Sequence, residues 1–438
     1  MLFLLPKIRW AVLVILTFCF LYAFPLPIIG NSAYLALVLL FCAVLCSRQS
    51  TSNLLMLINS PLFILSIGFF LLIITLSLFI ASFHNTYDYS IIKTLLNNTV
   101  SIVGVISIVS LIQKNAERDI LDLLALMLVL QSFFIFIMLV SPEIRGAIQS
   151  VIRTEEDLER MASYGGVRGL GLSGSIVFGL SITMGILGFI MHYRIAYRKS
   201  DQSSLKLLVI FLICLIASLS AGRTAILGFA VGFVFYPFVF SLNKYVGSVF
   251  KQVILVSVFL SLLLVYIFNN EVLYKIAFTY SRYVFQFIWN YFEFGSFSVR
   301  SLEGLSRMYF LPENDVLLWG TGHYTNSDGT YFMHVDAGYM RFLLFFGGPL
   351  SLLIYLFFIA LTVLFTQAIK SVLPGAWLFS LFFIFISFTY QYKGEVIFFS
   401  VAYMKIYFMF YGYFYLSYLL QSKNEAHRES RDFGHINA

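Results

Sequence analysis

Twelve apolar stretches, each near the length of a membrane-spanning helix, constrain this chain more than any other feature. A helix needs about 20 mostly apolar residues to cross a bilayer. The stretches are continuous rather than alternating, which predicts helices and not barrel strands. The second stretch is short, so eleven spans are the alternative count. The predicted spans are 10–29, 33–46, 61–83, 94–113, 120–141, 172–192, 205–220, 224–242, 249–268, 338–366, 374–391 and 397–420.

The composition agrees with a membrane protein. Of the 438 residues, 60% are hydrophobic and 11% are charged, whereas a soluble domain is about 25% charged. The 49 phenylalanines and 27 tyrosines also exclude a disordered chain. The predicted fold class is an all-α polytopic membrane protein with about 12 transmembrane helices. It would form a single integral membrane domain over residues 1–438.

The distribution of lysine and arginine predicts the orientation. Fifteen of the 28 flank the spans on one side, and five lie in the short loops on the other. Because cytoplasmic loops carry the excess of basic residues, both termini and the tail 421–438 are predicted to be cytoplasmic. The first apolar run is predicted to be a retained span and not a cleaved signal. The five basic residues of the short outer loops are Lys93, Arg223, Arg341, Lys393 and Lys405.

Two long loops, 142–171 and 269–337, are predicted to face the outer side. Loops of this length in a compact protein are usually functional or disordered. In the first, Thr154–Asp157 matches a capping box, which predicts the start of a short helix that carries Arg160. In the second, apolar residues at helical spacing predict an amphipathic helix that lies on the membrane surface and ends before Pro312. Those apolar residues are Leu302, Leu305 and Tyr309.

Two arginines are candidates for binding phosphate. Arg223 follows Gly222 in a tight outer turn with no acidic residue nearby in the sequence. Its guanidinium stays charged and donates in a fork that matches phosphate, although snorkelling to lipid headgroups is the alternative. Arg168 has the same character, and the glycines around it permit a close approach of backbone to ligand. These glycines are Gly165, Gly166, Gly169 and Gly171.

Asp336 and His334 stand at the predicted water–lipid boundary, just before the tenth span. A carboxylate or an imidazole at this place can act as general base toward a sugar hydroxyl. Arg341 is expected to pair with Asp336 and hold it ionised. The alternative is that Asp336 caps the helix of the tenth span, which is compatible with catalysis.

The remaining polar and aromatic residues narrow the function. Trp319 and Tyr339 are candidates for stacking on sugars, and an interfacial aromatic belt is the alternative for most outer aromatic residues. The histidines have no metal-ligand spacing, so neither a metal nor a cofactor is expected. Charges are nearly absent from the span centres, which disfavours an ion-coupled pump. An enzyme or receptor that works at the outer leaflet is favoured.

At these residues the chain resembles bacterial O-antigen polymerases, within the O-antigen ligase/polymerase superfamily. The resemblance consists of local motifs and of the layout of spans and long outer loops. It implies a membrane-embedded glycosyltransferase of the GT-C kind in the bacterial inner membrane. The motifs are Ser220-Ala221-Gly222-Arg223, Arg168 before span six, Arg300 about twenty residues before Gly320-Thr321-Gly322, and Asp336-Ala337-Gly338-Tyr339-Met340 with Gly347-Gly348.

The resemblance also implies substrates and roles. The substrates would be undecaprenyl-diphosphate-linked repeat units. A chain-length regulator and a flippase are candidate partners, the lipid membrane surrounds the protein, and no nucleic acid is involved. Arg223 and Arg300 would bind the diphosphate, and we include Arg168 and Arg341 in the predicted site. Because diphosphate is a good leaving group, arginines that neutralise it can replace a metal, and inverting, metal-independent transfer is expected.

Three alternatives remain open at this point. An O-antigen ligase would use the same chemistry with lipid A–core as acceptor. In ligases a histidine at the start of the corresponding span is the base, whereas here Asp336 aligns best and His334 is displaced by two residues, which favours a polymerase. A lipid-linked oligosaccharide flippase or other twelve-span transporter, and a partner protein without activity, are the other two alternatives.

Overall fold

The computed structural model describes residues 6–27, 30–113, 119–162, 166–175, 177–197, 204–239, 264–297 and 300–436, together with 258 and 261. Helices dominate these residues, and a two-residue antiparallel pair, Pro25–Leu26 with Gly30–Asn31, joins the first two. Short 3₁₀ helices lie at Arg223–Ala225 and Phe332–His334. The α-helices are α1 (Pro6–Tyr22), α2 (Ser32–Leu45), α3 (Arg48–Ile58), α4 (Pro61–Phe83), α5 (Ser90–Ile112), α6 (Ile120–Val140), α7 (Pro142–Ile152), α8 (Glu155–Ala162), α9 (Phe178–Tyr197), α10 (Ser204–Ala221), α11 (Ile226–Val239), α12 (Glu271–Val284), α13 (Gln286–Phe294), α14 (Arg300–Arg307), α15 (Asn314–Trp319), α16 (Gly338–Ile369), α17 (Ala376–Lys393) and α18 (Val401–Ile436).

Within the described residues, five helices are long and apolar enough to cross a membrane, and up to six if α2 and α3, bent by 112°, form one span. The five are α4, α5, α6, most of α9, and α16. Each predicted span contains helix, except that 249–268 lies mostly outside the described residues. Several of these helices are short: the 14 residues of α2 rise only about 21 Å, less than the hydrocarbon core of about 30 Å. The chain is therefore a helical protein with several candidate membrane spans, and the count of twelve remains a prediction.

The helices pack closely through small residues. The most extensive contacts join α9 to α11 and α5 to α18. A Cβ atom on Gly228 of α11 would overlap the backbone of Gly185 on α9. Close backbone approach of this kind is how helices associate where lipid replaces water. The packing of α9 against α11 places the turn at Arg223 beside the start of α9, where the Ser181 hydroxyl donates to the Gly222 carbonyl.

The two long loops differ from the predictions in part. The capping box is confirmed: the Thr154 Oγ1 accepts from the Asp157 backbone N–H, and the Asp157 carboxylate accepts from the Thr154 N–H, both at 3.3 Å. The predicted amphipathic helix is shorter than expected: α14 ends at Arg307 and does not reach Tyr309. Leu305 is buried against α16, so this face of the helix contacts protein rather than the membrane surface.

Two predictions for the C-terminal part also change. The tail 421–438 continues α18 as helix as far as Ile436. Lys405, which the charge count assigned to an outer loop, is buried inside α18. Its ammonium donates a hydrogen bond of 2.6 Å to the carbonyl of Phe20 on α1.

A break in α16 holds the loop that follows α15. Gly347 has φ +76°, and Thr321 N–H donates to the carbonyl of Leu344 at 2.6 Å next to this break. A Cβ atom on Gly347 would overlap the carbonyl oxygen of Leu318, and one on Gly320 would overlap that of Phe345. The motifs at 319–322 and 347–348 therefore form one backbone-to-backbone contact.

Alanine at Gly347 is expected to destabilise the protein by at least ~1–3 kcal/mol, because the left-handed conformation alone costs this much for a residue with a side chain. The overlap with Leu318 adds to this cost. Gly68 of α4 is the matched control, since nothing lies within 4 Å of its position, and alanine there favours the helix. The free energy of unfolding in mixed SDS micelles measures both variants. Equal stability of the two variants would contradict the assignment of the break.

Candidate functional site

The glycine-rich segment around Arg168 is bonded to the residues that precede Arg223. The N–H of Gly169 donates to the Ser220 carbonyl at 2.9 Å, and the Ser220 hydroxyl donates to the Val167 carbonyl at 2.5 Å. Glycine suits position 169 because its φ is +74°, a left-handed conformation that disfavours residues with a side chain. The sequence predicted both arginines separately, and the structure brings their two segments together.

Tyr283 of α12 lies close to both arginines. The guanidinium carbon of Arg168 is 5.9 Å from the centre of its ring, and that of Arg223 is 5.6 Å away. Arg223 also donates a 3.0 Å hydrogen bond from Nη1 to the Oε1 of Gln286, the first residue of α13. The tyrosine is buried with Val167 and Leu219, so the position of the two cations is fixed by packing.

Lys393 is a third cation at this place. It ends α17, beyond the predicted span, and its Nζ donates to the Oγ1 of Thr224 at 2.7 Å. Burial, together with the charges of Arg223 and Arg168, lowers the pKa of Lys393 to about 8, while Asp336 acts in the opposite direction. Three cations held this close repel one another, and an anion among them would relieve that repulsion. We call Arg168, Arg223 and Lys393 the basic site.

Asp336 lies close enough to Lys393 for its negative charge to raise the pKa of the lysine. Asp336 is exposed, as is His334. Asp336 does not occupy the N-cap position of α16, because that helix begins at Gly338 with Ala337 as its N-cap residue.

The backbone before Asp336 is strained. Met333 and His334 have φ values of +54° and +57°, a left-handed conformation that is uncommon for residues other than glycine. Two such residues in succession cost of order 1–3 kcal/mol each, and strain of this kind concentrates at functional sites. This observation favours a role for the segment that carries His334 and Asp336.

The predicted pairing of Arg341 with Asp336 is wrong, because Arg341 pairs with Glu395 instead. Arg341 Nε lies 3.3 Å from the Oε1 of Glu395, and their side chains are 5% and 12% exposed. The guanidinium also lies over the rings of Tyr324, at 4.0 Å, and Tyr331, at 3.7 Å. The Tyr324 hydroxyl donates to the other oxygen of Glu395 at 2.5 Å. These contacts hold Arg341 against Glu395 and two tyrosine rings, and its predicted part in binding the diphosphate stays a prediction.

The other predicted residues have separate environments. Tyr339 donates from its hydroxyl to the Phe388 carbonyl at 2.8 Å, which joins α16 to α17. Trp319 ends α15, and its side chain is 66% exposed beside a cavity. Arg300 begins α14, but its side chain lies outside the described part of the chain.

Sequence reasoning missed Lys393 and Glu395. Both were visible as charged residues beside the predicted turn at 392–396, but a count of basic residues by side treats such a lysine as an orientation signal only. Within the described ranges, no three His, Cys, Asp or Glu side chains come together so as to hold a metal ion.

The arrangement can bind an anion at the basic site and present a carboxylate within electrostatic reach of it. Two of the three cations, Arg168 and Arg223, come from the predicted set, and Asp336 supplies the carboxylate. Comparison of the chain with protein-family models, with curated proteins and with solved structures gave no match.

Proposed function

We propose that the protein polymerises undecaprenyl-diphosphate-linked repeat units into an O-antigen or capsule-type polysaccharide. The observation that carries this proposal is the convergence of Arg168, Arg223 and Lys393 near Asp336. A site with three cations suits a diphosphate, which carries several negative charges. In this proposal the chain has about twelve spans in the bacterial inner membrane, its termini are cytoplasmic, and the basic site faces the periplasm.

The residues support a simple glycosyl transfer. The basic site binds the diphosphate of the donor, and Asp336, or His334 beside it, accepts the proton of the acceptor hydroxyl. The hydroxyl oxygen forms a bond to the anomeric carbon of the donor as the bond from that carbon to the diphosphate oxygen breaks. The electron pair leaves with undecaprenyl diphosphate, whose charge Arg168 and Arg223 stabilise. Attack opposite the leaving group inverts the anomeric configuration.

The direct test is incubation of the purified protein in nanodiscs with a lipid-linked repeat unit and without divalent metal. A ladder of lengthening chains is the expected product. If no longer chain forms, but the protein moves the same lipid-linked unit across the membrane of vesicles, the result would instead support a transporter.

Deletion of the gene separates a polymerase from a ligase. A strain without the polymerase is expected to display single repeat units on its lipid A–core. A strain that displays none and accumulates lipid-linked chains would contradict the polymerase proposal and support the ligase.

The charge of Lys393 predicts that binding depends on pH. With a pKa of about 8, the lysine is about nine-tenths charged at pH 7 and about one-tenth charged at pH 9. Because only the charged form attracts the diphosphate, affinity for a soluble prenyl diphosphate is expected to fall as the pH rises through 8. Loss of a hydrogen bond to a charged group, ~1.5–3 kcal/mol, corresponds to about ten- to a hundredfold.

Titration calorimetry between pH 7 and pH 9.5 measures this dependence. Lys393→Arg is the control, since arginine stays charged over the whole range and should flatten the profile. An identical fall in affinity in this variant would show that another group is responsible.

A further inference from the structure

A cavity of about 430 Å³ lies between the end of α4 and the loop that follows α15. Its volume is within the range of small-molecule sites, which combine apolar walls with a few polar groups. The exposed ring of Trp319 supplies one wall, and the side chains of Asp315, His84 and His323 supply polar groups. The cavity is lined by Phe83, His84, Thr86, Asp315, Val316, Trp319, Gly320, Thr321 and His323.

The cavity walls are held by hydrogen bonds to the loop backbone. The Thr86 hydroxyl donates to the Gly322 carbonyl at 2.8 Å, and a ring nitrogen of His84 lies 3.3 Å from the Trp319 carbonyl. On the opposite side, the Thr321 hydroxyl donates to the Leu344 carbonyl beside the break in α16 at 2.9 Å. These hydrogen bonds fix the walls of the cavity, so little ordering would be needed on binding.

The chemistry of the cavity fits a neutral sugar. An exposed indole offers a flat apolar face to the C–H bonds of a pyranose, and a carboxylate and two imidazoles can bond its hydroxyls. The carboxylate of Asp315 disfavours a second phosphate here, since two negative charges repel.

One wall of the cavity connects to the segment that carries the candidate base. The ring of His323 stacks on Phe332, with centres 5.1 Å apart and planes 16° from parallel. Phe332 packs against the buried cluster that contains Val335 and Ala337, the two neighbours of Asp336 in the chain. A ligand that contacts His323 is therefore one residue away from Phe332, in the segment that leads to Asp336.

We propose that this cavity, the Trp319 groove, binds a sugar of the acceptor saccharide while its reacting hydroxyl extends toward Asp336. The inference rests on the proposed function, in which the basic site is already occupied by the donor diphosphate. It assigns the acceptor a separate place, formed by α4 and by the loop after α15.

The test uses oligosaccharides of one to three repeat units, released from the surface polysaccharide of the source organism. Saturation-transfer NMR with the full chain in nanodiscs is expected to detect binding to the wild type. Trp319→Ala should weaken it about tenfold, and Trp319→Phe, which keeps an aromatic face, should retain most of it. In the polymerisation assay, Trp319→Ala should raise KM for the acceptor and leave kcat nearly unchanged.

Trp377→Ala is the matched control, because this tryptophan is 50% exposed at the other end of the helix that ends at Lys393. Wild-type binding and KM in Trp319→Ala, with polymerisation intact, would overturn the groove proposal and leave the proposed function standing. Saccharide binding that depends on Trp319, in a protein that makes no polymer, would support the groove and overturn the polymerase. Displacement of the saccharide by phospholipid headgroups alone would overturn the groove as a sugar site.

Discussion

Alanine at both Arg168 and Arg223 is expected to reduce kcat/KM for the lipid-linked repeat unit by about 10²- to 10⁴-fold. Each guanidinium is proposed to bond a charged group, and such a bond contributes ~1.5–3 kcal/mol, or about ten- to a hundredfold. The two losses approach additivity only if the arginines bind different oxygen atoms, and overlap of their roles would place the double variant near the lower limit. Initial rates in nanodiscs at several donor concentrations measure the effect.

The conservative variants distinguish charge from geometry. Arg223→Lys keeps the charge but loses the fork, so an intermediate rate is expected. Arg282 is the matched control, because it lies next to Tyr283 but is exposed and paired with Glu293 at 2.6 Å. Its replacement by alanine should leave the rate close to that of the wild type. If the double variant retains full rate and donor affinity, the basic site does not bind the diphosphate.

Removal of either partner of the Arg341–Glu395 pair is expected to lower the free energy of unfolding by about 3–5 kcal/mol, since the remaining charge stays buried without its partner. Arg341→Met and Glu395→Leu are each expected to lower the free energy of unfolding by this amount. The double variant should cost much less than the sum of the two, because no buried charge is left. SDS-driven unfolding in mixed micelles measures all three variants.

An exposed pair provides the comparison. Lys275 and Glu271 are 2.8 Å apart on α12, with side chains 73% and 81% exposed. Breaking such a surface pair by Lys275→Met should cost no more than about 0.5 kcal/mol. Single variants at Arg341 or Glu395 that cost equally little would show that the buried pair contributes nothing to stability.

Local patterns in the sequence predict those features of the fold that depend only on residues close together in the chain. The apolar runs predicted helices because their length and continuity are set by the bilayer, and Thr154–Asp157 predicted a cap because both hydrogen bonds lie within one turn. Arg168 and Arg223 were found because each stands beside glycine and far from acidic residues in the sequence.

Contacts between distant segments could not be predicted in the same way. Glu395 is 54 positions from Arg341 in the sequence, so the sequence favours the nearer Asp336 as the partner of Arg341. The apolar spacing predicts a helix that continues through Tyr309, but α14 ends at Arg307 and Tyr309 stacks on Tyr392 of α17. Gly320 and Gly347 both belong to sequence motifs, but only the folded chain brings their backbones into contact.

The break at Gly347 has a consequence for depth in the membrane. The part of α16 after Gly347 contains about 22 residues and rises about 33 Å, which matches the hydrocarbon thickness of about 30 Å. In the proposed orientation, the nine or so residues before the break then belong to the headgroup layer, where charged side chains are tolerated more readily than at the bilayer centre. Arg341 is among them, and in the same orientation the loop that contacts Gly347 would bring Trp319 to the surface of the hydrocarbon. A saccharide in the groove would thus lie at the lipid boundary, at the level where a lipid-linked substrate carries its first sugars.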